Sequence, residues 1–226
     1  MRPSNPSAGL LIFDWDGTLV DSVAFIAESM RTAASAEGLP VPSVDAARNI
    51  VGLGLNEAIK TLYPQICKAQ SVALRASFSD IFRCQKNYPC ELFDGVRRYL
   101  RCWHEAGFTL AVATGKSRAG LQREMQQQQL GEHFDASRCS DETRSKPHPM
   151  MLQQLLDELS FVPKRALMIG DTQYDLDMAT NAGITSIAVD YGAHTRSRLL
   201  EAHPIACVSR FKDLNNHIKE YFEINT

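Results

Sequence analysis

No stretch of this chain approaches the roughly 18 consecutive apolar residues that a membrane-spanning helix needs. The apolar stretch near the start, Gly9-Leu10-Leu11-Ile12-Phe13, ends at an acidic residue. A secretory leader is not expected either, because Met1-Arg2 runs straight into Pro3 and Ser4 with no apolar region and no small-residue cleavage site. An excess of charge of one sign is missing too. The 24 Lys and Arg face 26 Asp and Glu, a net charge of -2, which leaves no broad field for gripping nucleic acid or an acidic membrane. The six cysteines, Cys67, Cys84, Cys90, Cys102, Cys139 and Cys207, contain no C-x-x-C pair. Reduced, packed thiols in a cytoplasmic protein are therefore expected. There is no internal repeat, and no heptad pattern argues for a coiled-coil assembly, so the oligomeric state stays open. The glutamine run at 126–129 reads as the polar end of a helix. What remains is an ordinary globular composition, 44% hydrophobic and 22% charged over 226 residues. That length suits one core with a sizeable insert.

Five short apolar runs carry the organisation: Leu10 to Phe13, Thr109 to Ala113, Ala166 to Ile169, Ser186 to Val189 and, more weakly, Ala206 to Val208. Apolar runs without polar alternation are what strands buried on both faces of a parallel sheet look like. Their spacing, with helical patterns between them, predicts an α/β core with a doubly wound, Rossmann-like parallel sheet. The gap between the first two runs is too long for one crossover. It is helical in character from Val23 to Glu37 and from Gln65 to Lys86, with Pro40, Pro42 and Gly52-Leu53-Gly54 as turns. The expected division is a core from residues 1–21 and 90–226 and a helical cap from 22–89, with a second linker near Tyr88-Pro89.

Four polar elements follow these runs or open helices. Asp14-Trp15-Asp16-Gly17-Thr18-Leu19-Val20-Asp21-Ser22 places two carboxylates two residues apart at a strand end, where ligands of parallel sheets gather. Gly17 permits the turn that brings them toward one small volume. Thr114-Gly115-Lys116-Ser117 offers a hydroxyl and backbone N–H groups suited to an anion, or a simple helix cap. Lys146-Pro147-His148-Pro149 opens the helical stretch Met150 to Leu159. Gly170-Asp171-Thr172-Gln173-Tyr174-Asp175 adds two further acids at a strand end, with Asp177 beyond them as an exposed or capping charge. Four carboxylates converging on one sheet edge call for a cation, and oxygen ligands of this kind suit Mg²⁺. The remaining polar residues have plainer readings. Asp21 and Ser22 read as caps of the first cap helix, Arg48, Asn56 and Lys60 as a solvated face, and His148 as packed or solvent-facing.

The segments DWDGTLVDS, TGKS, KPHP and GDTQYD, in this order, resemble the four motifs of the haloacid dehalogenase-like (HAD) hydrolase superfamily. The helical insert between the first and second resembles the cap placement of subfamily IA, the phosphoglycolate phosphatase-like branch. The resemblance implies that Asp14 is the nucleophile, becoming an aspartyl phosphate, and Asp16 the general acid and then base. It implies Mg²⁺ held by the Asp14 and Asp171 carboxylates and the Asp16 backbone carbonyl, with Asp175 in support. Thr114, the Gly115 N–H and Lys146 would hold the phosphoryl oxygens. Trp15 replaces the more frequent Phe, Leu or Met at a position expected to contribute mainly backbone. The expected activity is a Mg²⁺-dependent phosphatase acting on a small phosphorylated metabolite such as phosphoglycolate or a sugar phosphate. A phosphomutase resembling β-phosphoglucomutase is the alternative. A signalling receiver domain shares acids, Thr and Lys around a parallel sheet, but its phosphoacceptor follows the third strand, whereas Asp14 follows the first.

Overall fold

The computed structural model describes residues 8–84 and 90–224. Strand β1 (Leu10–Phe13) is followed by four helices, α1 (Val23–Ala36), α2 (Val44–Asn49), α3 (Leu55–Leu62) and α4 (Lys68–Cys84). The chain then alternates through α5 (Val96–Glu105), β2 (Thr109–Thr114), α6 (Arg118–Gln127), β3 (Ala136–Cys139), α7 (Met150–Leu159) and β4 (Ala166–Gly170). It ends with α8 (Gln173–Asn181), β5 (Thr185–Val189), α9 (Arg196–Leu200), β6 (Ala206–Val208) and α10 (Leu214–Ile224).

All strands pair in parallel, in the order β3-β2-β1-β4-β5-β6. Each of the three central strands, β2, β1 and β4, is buried on both faces, and its residues alternate between two cores. Leu11, Phe13, Leu110, Val112, Leu167 and Ile169 face one side, with Val96, Leu100 and Trp103 of α5 and Leu214 and Ile218 of α10. Leu10, Ile12, Ala111, Ala113 and Met168 face the other, with Met151, Leu152 and Leu155 of α7 and Met178 of α8. The chain passes from one side of β1 to the other between β3 and β4. This is the topological switch point, where a crevice opens beyond the strand ends.

Five of the six strands lie on the apolar runs in the sequence. The sixth, β3, has the sequence Ala-Ser-Arg-Cys and sits at the sheet edge, half-buried for three of its four residues. Its Arg138 pairs with Glu158 and donates to Gln154 of α7, so polar side chains cover an edge that an apolar pattern cannot reveal.

Helices α1, α3 and α4 enclose a separate small cluster of Met30, Ala33, Ala34, Ile59 and Leu74. The helical pattern expected from Gln65 is realised from Lys68, while its continuation to Lys86 and the Tyr88-Pro89 linker lie outside the described residues. The chain leaving the core and the chain returning to it run side by side: Asp21 N donates to Glu91 O (2.8 Å) and Phe93 N to Leu19 O (3.0 Å). The cysteines depart from the expected packed thiols. Only Cys139 is buried. Cys67, just before α4, and Cys84 and Cys102, on α4 and α5, are exposed.

Candidate active site

Asp14 continues β1 beyond its last paired residue, and Asp171 does the same for the neighbouring β4. Register Phe13↔Ile169 brings Asp14 alongside Gly170, with Asp171 one residue beyond it on the adjacent strand. Asp175 stands in the first turn of α8, where Thr172 N and Thr172 Oγ1 donate to its Oδ2 (3.1 and 2.6 Å) in a capping box. Carboxylate oxygens of Asp14, Asp171 and Asp175 lie within 4.8 Å of one another, all buried. Lys146 enters from the segment before α7. Its Nζ is 2.7 Å from Asp14 Oδ1 and 2.6 Å from Asp175 Oδ1, and the side chain is fully shielded from solvent. Asp171 is held from the opposite side by Thr18 Oγ1, donating to Oδ1 (2.8 Å), and by Ala193 N, donating to Oδ2 (2.7 Å).

Gly17 makes this convergence sterically possible. Its φ is +79°, and a Cβ there would lie 2.2 Å from Asp171 Oδ2.

Three carboxylates against one ammonium leave the cluster short of positive charge. Burial, and then the neighbouring Asp175 and Asp171, push Asp14 well above the usual carboxylate range despite Lys146. Burial and Asp175 push Asp171 up to about 7. Burial opposes the charge on Lys146, but Asp14 and Asp175 outweigh it and hold the ammonium above its ordinary range. Asp14 Oδ2 is buried with no hydrogen-bond partner among the described residues. An all-oxygen donor set with excess negative charge and an orphaned carboxylate oxygen fits a hard divalent cation.

The side chain of Asp16 does not join this cluster, contrary to the expected convergence of four acids. It is drawn aside by Ser22 Oγ, which donates to its Oδ1 (2.6 Å), and by Lys116 Nζ, 3.0 Å from the same oxygen. Lys116 is also 2.6 Å from Glu124 Oε1 of α6, and Trp15 Nε1 donates to Glu124 Oε2 (2.7 Å). Two readings of the sequence are corrected here. Ser22 occupies the cap position of α1 without capping it, because its hydroxyl is committed to Asp16. Trp15 contributes its indole N–H as well as its backbone.

Thr114, at the end of β2, is buried and accepts from Lys116 N (3.2 Å). Gly115 lies beneath the Gly52-Leu53-Gly54 turn, where a Cβ would come 2.5 Å from Leu53 O and 2.6 Å from Gly52 O. Three more contacts tie this segment to the core. Gly54 N donates to Ser145 Oγ (2.8 Å), Tyr174 OH to Asn49 O (3.0 Å), and Arg48 to Gly192 O (2.9 Å). Arg48 is thus a core contact rather than part of a solvated face, whereas Asn56 and Lys60 are exposed as expected. Asp141 anchors a loop by accepting from Arg118 N (2.9 Å), and His148 Nδ1 accepts from Met150 N (3.2 Å) at the start of α7. Asp177 is half-buried and stands apart from the cluster.

Between the inserted helices and the sheet lies a cavity of about 520 Å³. Asp16, Gly115 and Lys116 line its core side, and Met30, Phe78 and Phe82 its insert side. No helix among the described residues is long and apolar enough to cross a membrane.

Buried acids and a lysine at the switch point of a parallel sheet define an α/β protein with a charged site beyond its strand ends. Residues 11–189 match the family model described as haloacid dehalogenase-like hydrolase, and the chain belongs to that family of enzymes. Over 209 residues it is 33% identical to "Probable phosphatase IndB" of Dickeya dadantii, covering 91% of each chain. It is 31% identical to a phosphoglycolate phosphatase of Vibrio vulnificus, covering 81% of this chain and 84% of that protein. In fold it is similar to the crystal structure of a hydrolase from Pseudomonas syringae, with a TM-score of 0.86, 21% identity and coverage of 95% and 99% of the two chains.

Proposed function

We propose that the chain is a cytoplasmic, Mg²⁺-dependent phosphatase that hydrolyses a small phosphorylated metabolite through an aspartyl phosphate on Asp14. The observation that carries this reading is the buried Asp14, Asp171 and Asp175 cluster on Lys146, with one Asp14 oxygen left free. Relatives named as phosphatases support the reaction class.

In the first displacement a carboxylate oxygen of Asp14 attacks phosphorus, and the bond from phosphorus to the leaving oxygen breaks while Asp16 donates a proton to that oxygen. In the second, Asp16 takes a proton from water, whose oxygen attacks the same phosphorus and releases phosphate, regenerating Asp14. Thr114, the Gly115 N–H and Lys146 hold the phosphoryl oxygens, so charge developing on them meets donors already in place. Mg²⁺, held by Asp14, Asp171 and the Asp16 backbone carbonyl, would supply the positive charge that lets an anionic nucleophile approach an anionic ester. Asp175 supports this set from behind, since its Oδ2 is spent on the cap of α8 and its Oδ1 on Lys146. Residues 22–89 serve as a cap that closes over the leaving group and excludes water.

The test is phosphate release across a panel of phosphorylated metabolites, phosphoglycolate and hexose phosphates included, with Mg²⁺ and with EDTA. Activity is expected to disappear in EDTA and to fall at least ~10³-fold in Asp14→Asn. Mg²⁺-dependent turnover at the wild-type rate by folded Asp14→Asn would overturn the reading. Isomerised hexose phosphate without free phosphate would assign a phosphomutase instead.

A further inference from the structure

We infer that Lys116 is a positioning residue for Asp16, holding one carboxylate oxygen so that the other faces the leaving group. The inference rests on the acid and base role proposed for Asp16.

Four polar contacts build this network from three parts of the chain. Lys116, just after β2, bridges Asp16 Oδ1 (3.0 Å) and Glu124 Oε1 (2.6 Å). Trp15 fixes the far oxygen of Glu124 (2.7 Å), and Ser22 donates to the same Asp16 oxygen that Lys116 touches (2.6 Å). Asp16 Oδ1 is thus engaged twice. Its Oδ2 makes no hydrogen bond or ion pair among the described residues, and Asp16 lines the cavity. A carboxylate pinned by one oxygen retains little rotational freedom, so the free oxygen keeps a fixed direction toward the site.

The Lys116 side chain is only 9% exposed. Burying an ammonium costs more than packing an apolar side chain of similar volume, so shape alone does not call for a lysine here. The insert contributes as well: the Lys116 ammonium sits over the Phe82 ring of α4, 5.0 Å from its centroid. Lys116 thereby links the catalytic strand end, the anion-binding turn and the helices above them.

Protonation by Asp16 matters greatly for a poor leaving group and little for a good one. The experiment therefore measures kcat/KM of wild type and Lys116→Met on an alkyl phosphate that the wild type turns over and on 2,4-dinitrophenyl phosphate. Thermal melts establish that each protein is folded. The expected result is a loss of about 100-fold on the alkyl ester and no more than about 5-fold on the dinitrophenyl ester. Glu124→Gln, which loosens Lys116 without removing it, should show the same split with a smaller alkyl-ester loss, and it carries the test if Lys116→Met does not fold. Equal losses on both esters, or no loss on the alkyl ester, would overturn the inference. A wild type that hydrolyses neither ester nor any phosphorylated metabolite would instead defeat the phosphatase reading itself.

Discussion

Asp171 is held near neutrality by its surroundings, and that has a consequence for stability. Its folded pKa is about 7 against an ordinary value of 3.8, so between those limits the folded chain binds a proton that the unfolded chain has released. Stability from this group is therefore fully present below about pH 4 and is lost as pH rises through about 7. In EDTA, the melting temperature of the wild type should fall from pH 5 to pH 8 relative to that of Asp171→Asn, whose amide carries no charge. Mg²⁺ should recover the loss at pH 8 and have little effect at pH 5, where a proton already fills the cation's role. A melting curve for the wild type that parallels Asp171→Asn across this range would show that the cluster is not short of positive charge. The candidate residues of the site were legible individually, because each sits at the end of an apolar run or the start of a helix. Their division into two groups was not. Nothing in the spacing of Asp14 and Asp16 shows that one carboxylate turns to Lys146 and the other to Lys116, since that depends on Glu124 and Ser22, which are distant in the chain or read as a cap.

The secondary elements repay the same reading. Helix α7 ends at Ser160, whose backbone is left-handed at φ 59° and ψ 43°. A residue with a Cβ is strained there, and glycine is the common solution at this position. Ser160→Gly should stabilise the protein by about 0.5–1 kcal/mol in urea denaturation, with catalysis unchanged because the residue is remote from the acidic cluster. A destabilised Ser160→Gly variant would show that the serine side chain contributes more than its strain costs. The central strands were readable from sequence because burial on both faces leaves no polar alternation. Strand β3 escaped because an edge strand needs only one partner, and its Ser137 and Arg138 bond to α6 and α7 rather than to a core. The bounds of α4 differed from the sequence pattern at its start, where Pro64 and Gln65 form a turn before the helix.

Taken whole, the molecule is a sheet with a helical insert seated over the edge that carries the acidic cluster, and the clearance between them is small at Gly115. A methyl group there would push against the Gly52 and Leu53 carbonyls, while the backbone itself is compatible with alanine. Gly115→Ala should therefore displace the turn above the site and lower kcat/KM by about 10- to 100-fold. The core should keep its melting temperature, because the displaced contacts are at the insert boundary. Unaltered kcat/KM would mean that the turn is not seated during turnover. The insert's presence was legible from the length of the gap after β1. Its seating was not, since it depends on Asn49, Arg48 and Gly54 meeting the β5–α9 loop, α8 and Ser145 across long sequence separations.

Only two tryptophans occur in the chain, and they lie in different settings. Trp103 packs in the core beside Phe13, with its indole bonded to Asn215, while Trp15 lies between Asp14 and Asp16 in the chain with its indole bonded to Glu124. A Trp103→Phe protein would thus carry a single tryptophan, which can be excited selectively over the six tyrosines and whose emission would report on the charge network around Asp16. Ligand arrival and departure could then be followed in real time without a label.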